Sequence, residues 1–202
     1  NTFLIMEKLV PKLRFPEFEG NWERKKLSEV SKNAMYGMNS SAIEFDGINK
    51  YIRITDIDED TRSYIPSPLT SPDGIIEEKY KLKANDIVFA RTGASVGKSY
   101  IYKESDGNLF FAGFLIKFNI NRANSKFVFY ETLRYNYDKW VKTVSMRSGQ
   151  PGINSEEYKE FNLTLPQSEE QQKIATFLTS VDERLTLLAQ QKEKLELYKK
   201  GV

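Results

Sequence analysis

Residues 168–201 read SEEQQKIATFLTSVDERLTLLAQQKEKLELYKKG. No Gly or Pro interrupts the run before Gly201, and Ser168 with Gln171 three residues on has the form of a capping box. The stretch predicts one helix of about 30 residues, roughly 45 Å long at 1.5 Å per residue. Ile174, Leu178, Val181, Leu185, Leu188, Lys192, Leu195 and Lys199 step alternately by four and three, and six of the eight are apolar. That is a heptad seam over about three and a half heptads. Such a stripe usually lies on its own domain. A helix this long, however, overhangs a domain of about 160 residues, whose radius of gyration is about 15 Å. The overhang calls for a partner helix, with Ile174, Leu178, Val181, Leu185, Leu188 and Leu195 as the coiled-coil interface.

Upstream the periodicity changes. Residues 161–165 form a short strand that Pro166 closes, and residues 145–154 (SMRSGQPGIN) form a polar loop. Phe127, Tyr130, Leu133, Tyr137 and Val141 recur at three and four, which predicts a helix over 124–141. Residues 110–120 alternate as a strand. DIVFAR (86–91) reads as a buried strand, 92–97 as a glycine-bearing turn, and SYIYK (99–103) as its hairpin partner. Residues 51–57 are β-rich, 60–74 form a Pro-rich surface loop, and 7–27 run extended into a short strand or turn. The expected class is α+β: a mixed, β-rich globular domain followed by a long C-terminal coiled-coil helix. The expected divisions are an extension over 1–10, a domain over 11–166 and the helix over 167–202.

The 202 residues contain neither cysteine nor histidine. Disulfides, thiolate or imidazole metal sites and Ser-His-Asp or Cys-His catalysis are therefore excluded. The net charge of +2 is uninformative, but its distribution is not. Residues 44–60 hold six acids against Lys50 and Arg53, whereas residues 79–103 hold six bases against Asp86. No apolar run approaches the roughly 18 residues of a membrane span, and residues 1–6 are too short for a signal peptide. The expected compartment is the cytoplasm, with Met6 a candidate natural start.

Several motifs fail on their spacing. RTGASVGKS (91–99) resembles a phosphate-cradling loop but is one residue short, and a strand-like segment follows it where a helix is needed. Pro72-Asp73 with Glu77-Glu78-Lys79 spells a nuclease-like pattern with too little chain between its carboxylates. Phe111-Ala112-Gly113-Phe114 lacks the second glycine of an S-adenosylmethionine turn, and no NPPY-like tetrapeptide occurs. Two segments suit DNA instead. Arg91, Thr92, Ser95 and Lys98 crown the hairpin. Lys142, Ser145, Arg147, Gln150 and Asn154 populate the later loop, where Arg can pair with guanine and Gln or Asn with adenine. On these residues Lys98 and Lys142 are candidate phosphate contacts, and Arg147, Gln150 or Asn154 candidate base readers. An ordinary glycine turn and a solvated loop are the plain alternatives.

PKLRFPEFEGNWE (11–23), KLSEV (26–30), DIVFARTGASVGKS (86–99), GQPGIN (149–154), LPQSEEQQKIATFLTSVDERL (165–185) and KLELYKKG (194–201) occur in an order that resembles a specificity subunit of type I restriction-modification systems. The resemblance implies a non-catalytic chain whose recognition domain reads one half of a split double-stranded DNA target. It implies no cofactor or metal bound by this chain. Methyltransferase subunits would supply S-adenosylmethionine chemistry, and a restriction subunit would add ATP- and Mg²⁺-dependent translocation and cleavage. The usual member has two recognition domains and two spacer helices, whereas this sequence has one of each. A natural half-subunit, a truncation product or a fragment all fit; a half-subunit would pair with a second copy about a two-fold axis. A protein-interaction module with coiled-coil dimerisation is the alternative reading.

Overall fold

The continuous apolar run of residues 87–90 forms the centre of the domain. In the computed structural model, which describes residues 10–32, 34–146 and 149–201, it is strand β6 (Asp86–Ala90). Ile87 and Phe89 face one core, Val88 and Ala90 the other. Burial on both faces is why this strand carries no polar alternation.

Strand β6 pairs antiparallel with β7 (Ser99–Ile101) and with β9 (Leu115–Asn119), and β9 pairs in turn with β2 (Met35–Tyr36). Smaller ladders complete the β framework. β3 (Ala42–Glu44) pairs with β5 (Thr70–Pro72), and β4 (Lys50–Ile52) runs parallel to β8 (Leu109–Phe111). β1 (Glu23–Lys26) pairs with β10 (Asn162–Leu165), with Glu23 opposite Leu165. Helices α1 (Leu27–Val30), α2 (Ser125–Glu131), α3 (Tyr135–Ser145) and α4 (Ser155–Lys159) contribute Leu27, Phe127, Val128, Tyr137, Val141 and Tyr158 to the core on the Phe89 side.

Four local expectations need correction. The single strand over 110–120 is two strands. Between β8 and β9 the chain changes ladders at Ala112, which bridges Met38; a Cβ on Gly113 would lie 3.1 Å from the Met38 carbonyl. The single helix over 124–141 breaks at Thr132. That buried hydroxyl bonds Phe129 O at 2.6 Å and Ser99 Oγ at 2.6 Å, and it leaves Leu133 exposed rather than on a core stripe. The 60–74 loop includes β5, whose three residues are buried. The β-rich run over 51–57 stops at Ile52, where Asp56 accepts from the Arg53 backbone and guanidinium and closes a 3-10 turn.

The long helix forms as the sequence predicts. α5 spans Ser168–Lys200 and ends at Gly201 in the left-handed conformation. Its N-cap, however, is Gln167, and Ser168 is the first helical residue. Gln171 does not close a capping box: it accepts from Asn124 N at 2.9 Å and donates to Pro166 O at 2.8 Å, tying α2 to the base of α5. Ala175 is buried and Ile174 packs on the core, whereas Val181, Leu185, Leu188 and Leu195 are exposed. The Tyr130 hydroxyl donates to Asp182 at 2.7 Å. Beyond that bond the helix projects about 27 Å at 1.5 Å per residue.

Candidate nucleic-acid interface

The hairpin crown is built by close approach of backbones. Gly97 N donates to Ala90 O at 3.0 Å, and Lys98 N to Ser95 O at 3.0 Å. Gly97 has φ +88°, and a Cβ there would lie 2.6 Å from Val141 Cγ1. Glycine is therefore required both for its dihedral and for the approach of α3. Tyr137 and Tyr158 hold the crown from below, donating their hydroxyls to Gly97 O and Ala90 O, each at 2.7 Å.

The two segments chosen for DNA meet, although about sixty residues separate them in sequence. Thr92 bridges Gly152, Gly93 N donates to Pro151 O at 3.0 Å, and Ile153 N donates to Arg91 O at 2.9 Å. Gln150 Nε2 lies 3.1 Å from where a Gly93 Cβ would stand, so glycine also admits the amide to the crown. The hairpin that carries Arg91, Thr92 and Ser95 and the loop that carries Gln150 are thus neighbours.

The remaining candidates are placed differently. Lys98 forms an ion pair with Glu59, so the acidic and basic stretches of the sequence meet here. Lys142 is exposed on α3. Ser145 is buried, and its carbonyl accepts from Gly152 N at 3.3 Å. Arg147 lies outside the described residues. Asn154 is the N-cap of α4: its Oδ1 accepts from Glu157 N at 2.9 Å while its own N–H donates to Glu157 Oε2 at 2.7 Å.

Sequence reading missed two aromatic residues at this surface. Tyr36 and Phe114 are 38% and 56% exposed, and their rings lie 5.1 and 6.0 Å from the Arg91 guanidinium carbon. The Tyr36 hydroxyl accepts from Ser155 N at 3.1 Å and meets Ser155 Oγ at 3.2 Å. Burial pushes the phenol up, but the Ser155 bonds and the Arg91 charge outweigh it and hold the pKa below its usual value. Gly37 fixes the ring-bearing strand, since a Cβ there would fall 2.2 Å from Ala112 O. No short-range pattern announces such an approach.

At the base of α5 a second cluster joins the N-terminal segment to the helix. Arg14 pairs with Glu170, Lys173 with Glu17 at 2.9 Å, and Phe15 meets Phe177 edge to face at 6.0 Å. Among the described residues no group of His, Cys, Asp or Glu side chains converges to hold a metal ion. Nor is any helix among them long and apolar enough to cross a membrane.

Residues 19–197 match the type I restriction modification DNA specificity domain. The chain belongs to that family. Solved structures share the fold of this specificity domain. A type I restriction-modification S subunit from M. genitalium is similar with a TM-score of 0.60 at 19% identity, over 84% of this chain and 41% of that one. An HsdS subunit from Thermoanaerobacter tengcongensis gives 0.61 at 17% identity, over 86% and 45%. A chain from a type I R-M system, solved for complex assembly and conformational transition, gives 0.60 at 18% identity, over 91% and 45%. The specificity domain described here spans less than half the length of each.

Proposed function

We propose that this chain is one recognition half of a specificity subunit. Residues 11–166 read one half of a bipartite double-stranded DNA target, and α5 (Ser168–Lys200) is the spacer helix. The helix pairs through Val181, Leu185, Leu188 and Leu195 with a second copy or a second half. The chain itself is not catalytic and binds no cofactor. Methyltransferase subunits bring S-adenosylmethionine, and a restriction subunit brings ATP- and Mg²⁺-dependent cleavage. The observation that supports this reading is the backbone joining of residues 91–93 to residues 151–153, which brings the hairpin of Arg91, Thr92 and Ser95 against the loop that carries Gln150. These donors suit phosphates and base edges. The uncovered apolar seam of α5 supports the pairing.

A genome-wide methylation map of cells expressing the chain with its cognate methyltransferase subunit tests the proposal. A symmetric split motif is expected from a paired half-subunit. Two different half-motifs would mean that a second specificity polypeptide had joined. Absence of new methylation, together with salt-independent binding to a protein partner, would replace the reading with that of a protein-interaction module.

A further inference from the structure

Arg14, Arg53 and Arg134 each face a carboxylate. Arg91 differs: among the described residues no carboxylate pairs with it, and its Nε is shielded from solvent without a hydrogen-bond partner. Its guanidinium is held instead by the rings of Tyr36 and Phe114. Aromatic faces attract a cation through their quadrupole and do not engage its donors as a carboxylate fork does. The charge is therefore positioned by the two rings and by a hydrogen bond to the Tyr36 hydroxyl, while no carboxylate among the described residues closes its fork.

The backbone around the ion is fixed as well. Arg91 N donates to Phe114 O at 3.0 Å, and Arg91 O accepts from Ile153 N at 2.9 Å. Tyr36 is tethered through its hydroxyl to Ser155. The Arg91 backbone and the Tyr36 ring are thus anchored by hydrogen bonds, and the Tyr36 and Phe114 rings reach the surface. Lys98, by contrast, is already neutralised by Glu59.

We propose that Arg91 is the guanine-reading side chain of this domain, with Tyr36 and Phe114 as positioning residues that hold its guanidinium. A flat fork that no carboxylate among the described residues occupies matches the O6 and N7 acceptors that guanine presents in the major groove. This inference rests on the DNA-reading role proposed above and narrows it to one residue and one base.

The test compares methylation motifs for the wild type, R91A, R91K, Y36L and F114L, each with the same methyltransferase subunit. One G·C position should become degenerate in R91A and R91K, with discrimination there falling about 5- to 150-fold. Y36L and F114L, which keep the arginine, should relax the same position by less and leave the others sharp. A purely structural role would instead lower methylation at all positions together. Thermal unfolding identifies any variant that fails to fold, and R91K then carries the comparison. In binding assays with the methyltransferase complex, 7-deazaguanine at that position should weaken the wild type and leave R91A unchanged. A uniform loss in R91A with the motif intact would make Arg91 a phosphate contact and overturn the proposal, as would an unchanged motif. A wild type that yields no split motif at all would overturn the DNA-reading role itself.

Discussion

Arg14 and Glu170 grip each other across 156 residues of chain: Arg14 Nε and Nη2 donate to the two carboxylate oxygens of Glu170 at 2.7 and 2.6 Å. The Glu170 side chain is fully buried, and the same guanidinium also donates to Gly20 O and Glu19 O. The N-terminal segment is thereby bound to the first turn of α5. Removing one partner strands a buried charge, which is far costlier than replacing both by apolar groups. Glu170→Ala should lower the melting temperature by about 5–10 °C. Arg14→Met with Glu170→Met should lose less than either single variant, as a thermal denaturation cycle would show. Additive losses would mean that the two side chains act independently.

From Leu185 onward the seam of α5 lies beyond the Tyr130–Asp182 bond. Leu188→Asp should therefore separate the helices of the proposed pair without unfolding the domain. Sedimentation should show the apparent dissociation constant rising by about 100-fold or more, as a charge enters an apolar core position, while the melting profile of the isolated domain stays put.

Gly97 satisfies two constraints at once. Gly97→Ala adds a Cβ both at φ +88° and at 2.6 Å from Val141. A cost of about 2–4 kcal/mol in denaturant unfolding is expected from strain and overpacking together. Adding Val141→Ala should not recover it fully, because the dihedral strain remains.

Glu59 is 68% exposed in its ion pair with Lys98. Lys98 is only 15% exposed, but the Glu59 half of the pair faces solvent, so a DNA phosphate can take the place of that carboxylate. Glu59→Gln should raise DNA affinity and steepen the log affinity–log salt slope by about one. An unchanged slope would remove Lys98 from the contact set.

Asp46 accepts from Asn49 N, Ile48 N and Asn49 Nδ2, and these bonds hold its carboxyl at about 2 against a usual 3.8. Because the folded value is the lower one, its contribution to stability is full above about 4 and is withdrawn as pH falls towards 2. Carboxyl NMR should find this midpoint, and Asn49→Ala should move it upward.

What could be read in the sequence was what local periodicity carries. Residues 87–90 are continuously apolar because the strand is covered on both faces, and the leucines of α5 carry the heptad spacing of a seam that the domain does not cover. What escaped depends on distant neighbours. The corner at Gly113 is set by Met38, the break at Thr132 by Ser99, and the aromatic holders of Arg91 come from residues 36 and 114. Ser145 and Asn154 looked like DNA contacts from their chemistry alone. Burial of one and helix capping by the other become visible only when α3 and α4 have ends.

The pairing of β1 with β10 sets Glu23 beside Leu165, so the polypeptide enters and leaves the domain at neighbouring positions on one small ladder. Everything between those residues is a closed excursion from a fixed doorway. A domain attached in this way can be exchanged without redirecting the helix only for one that also supplies the partners of Gln171, Ile174 and Asp182 on α5.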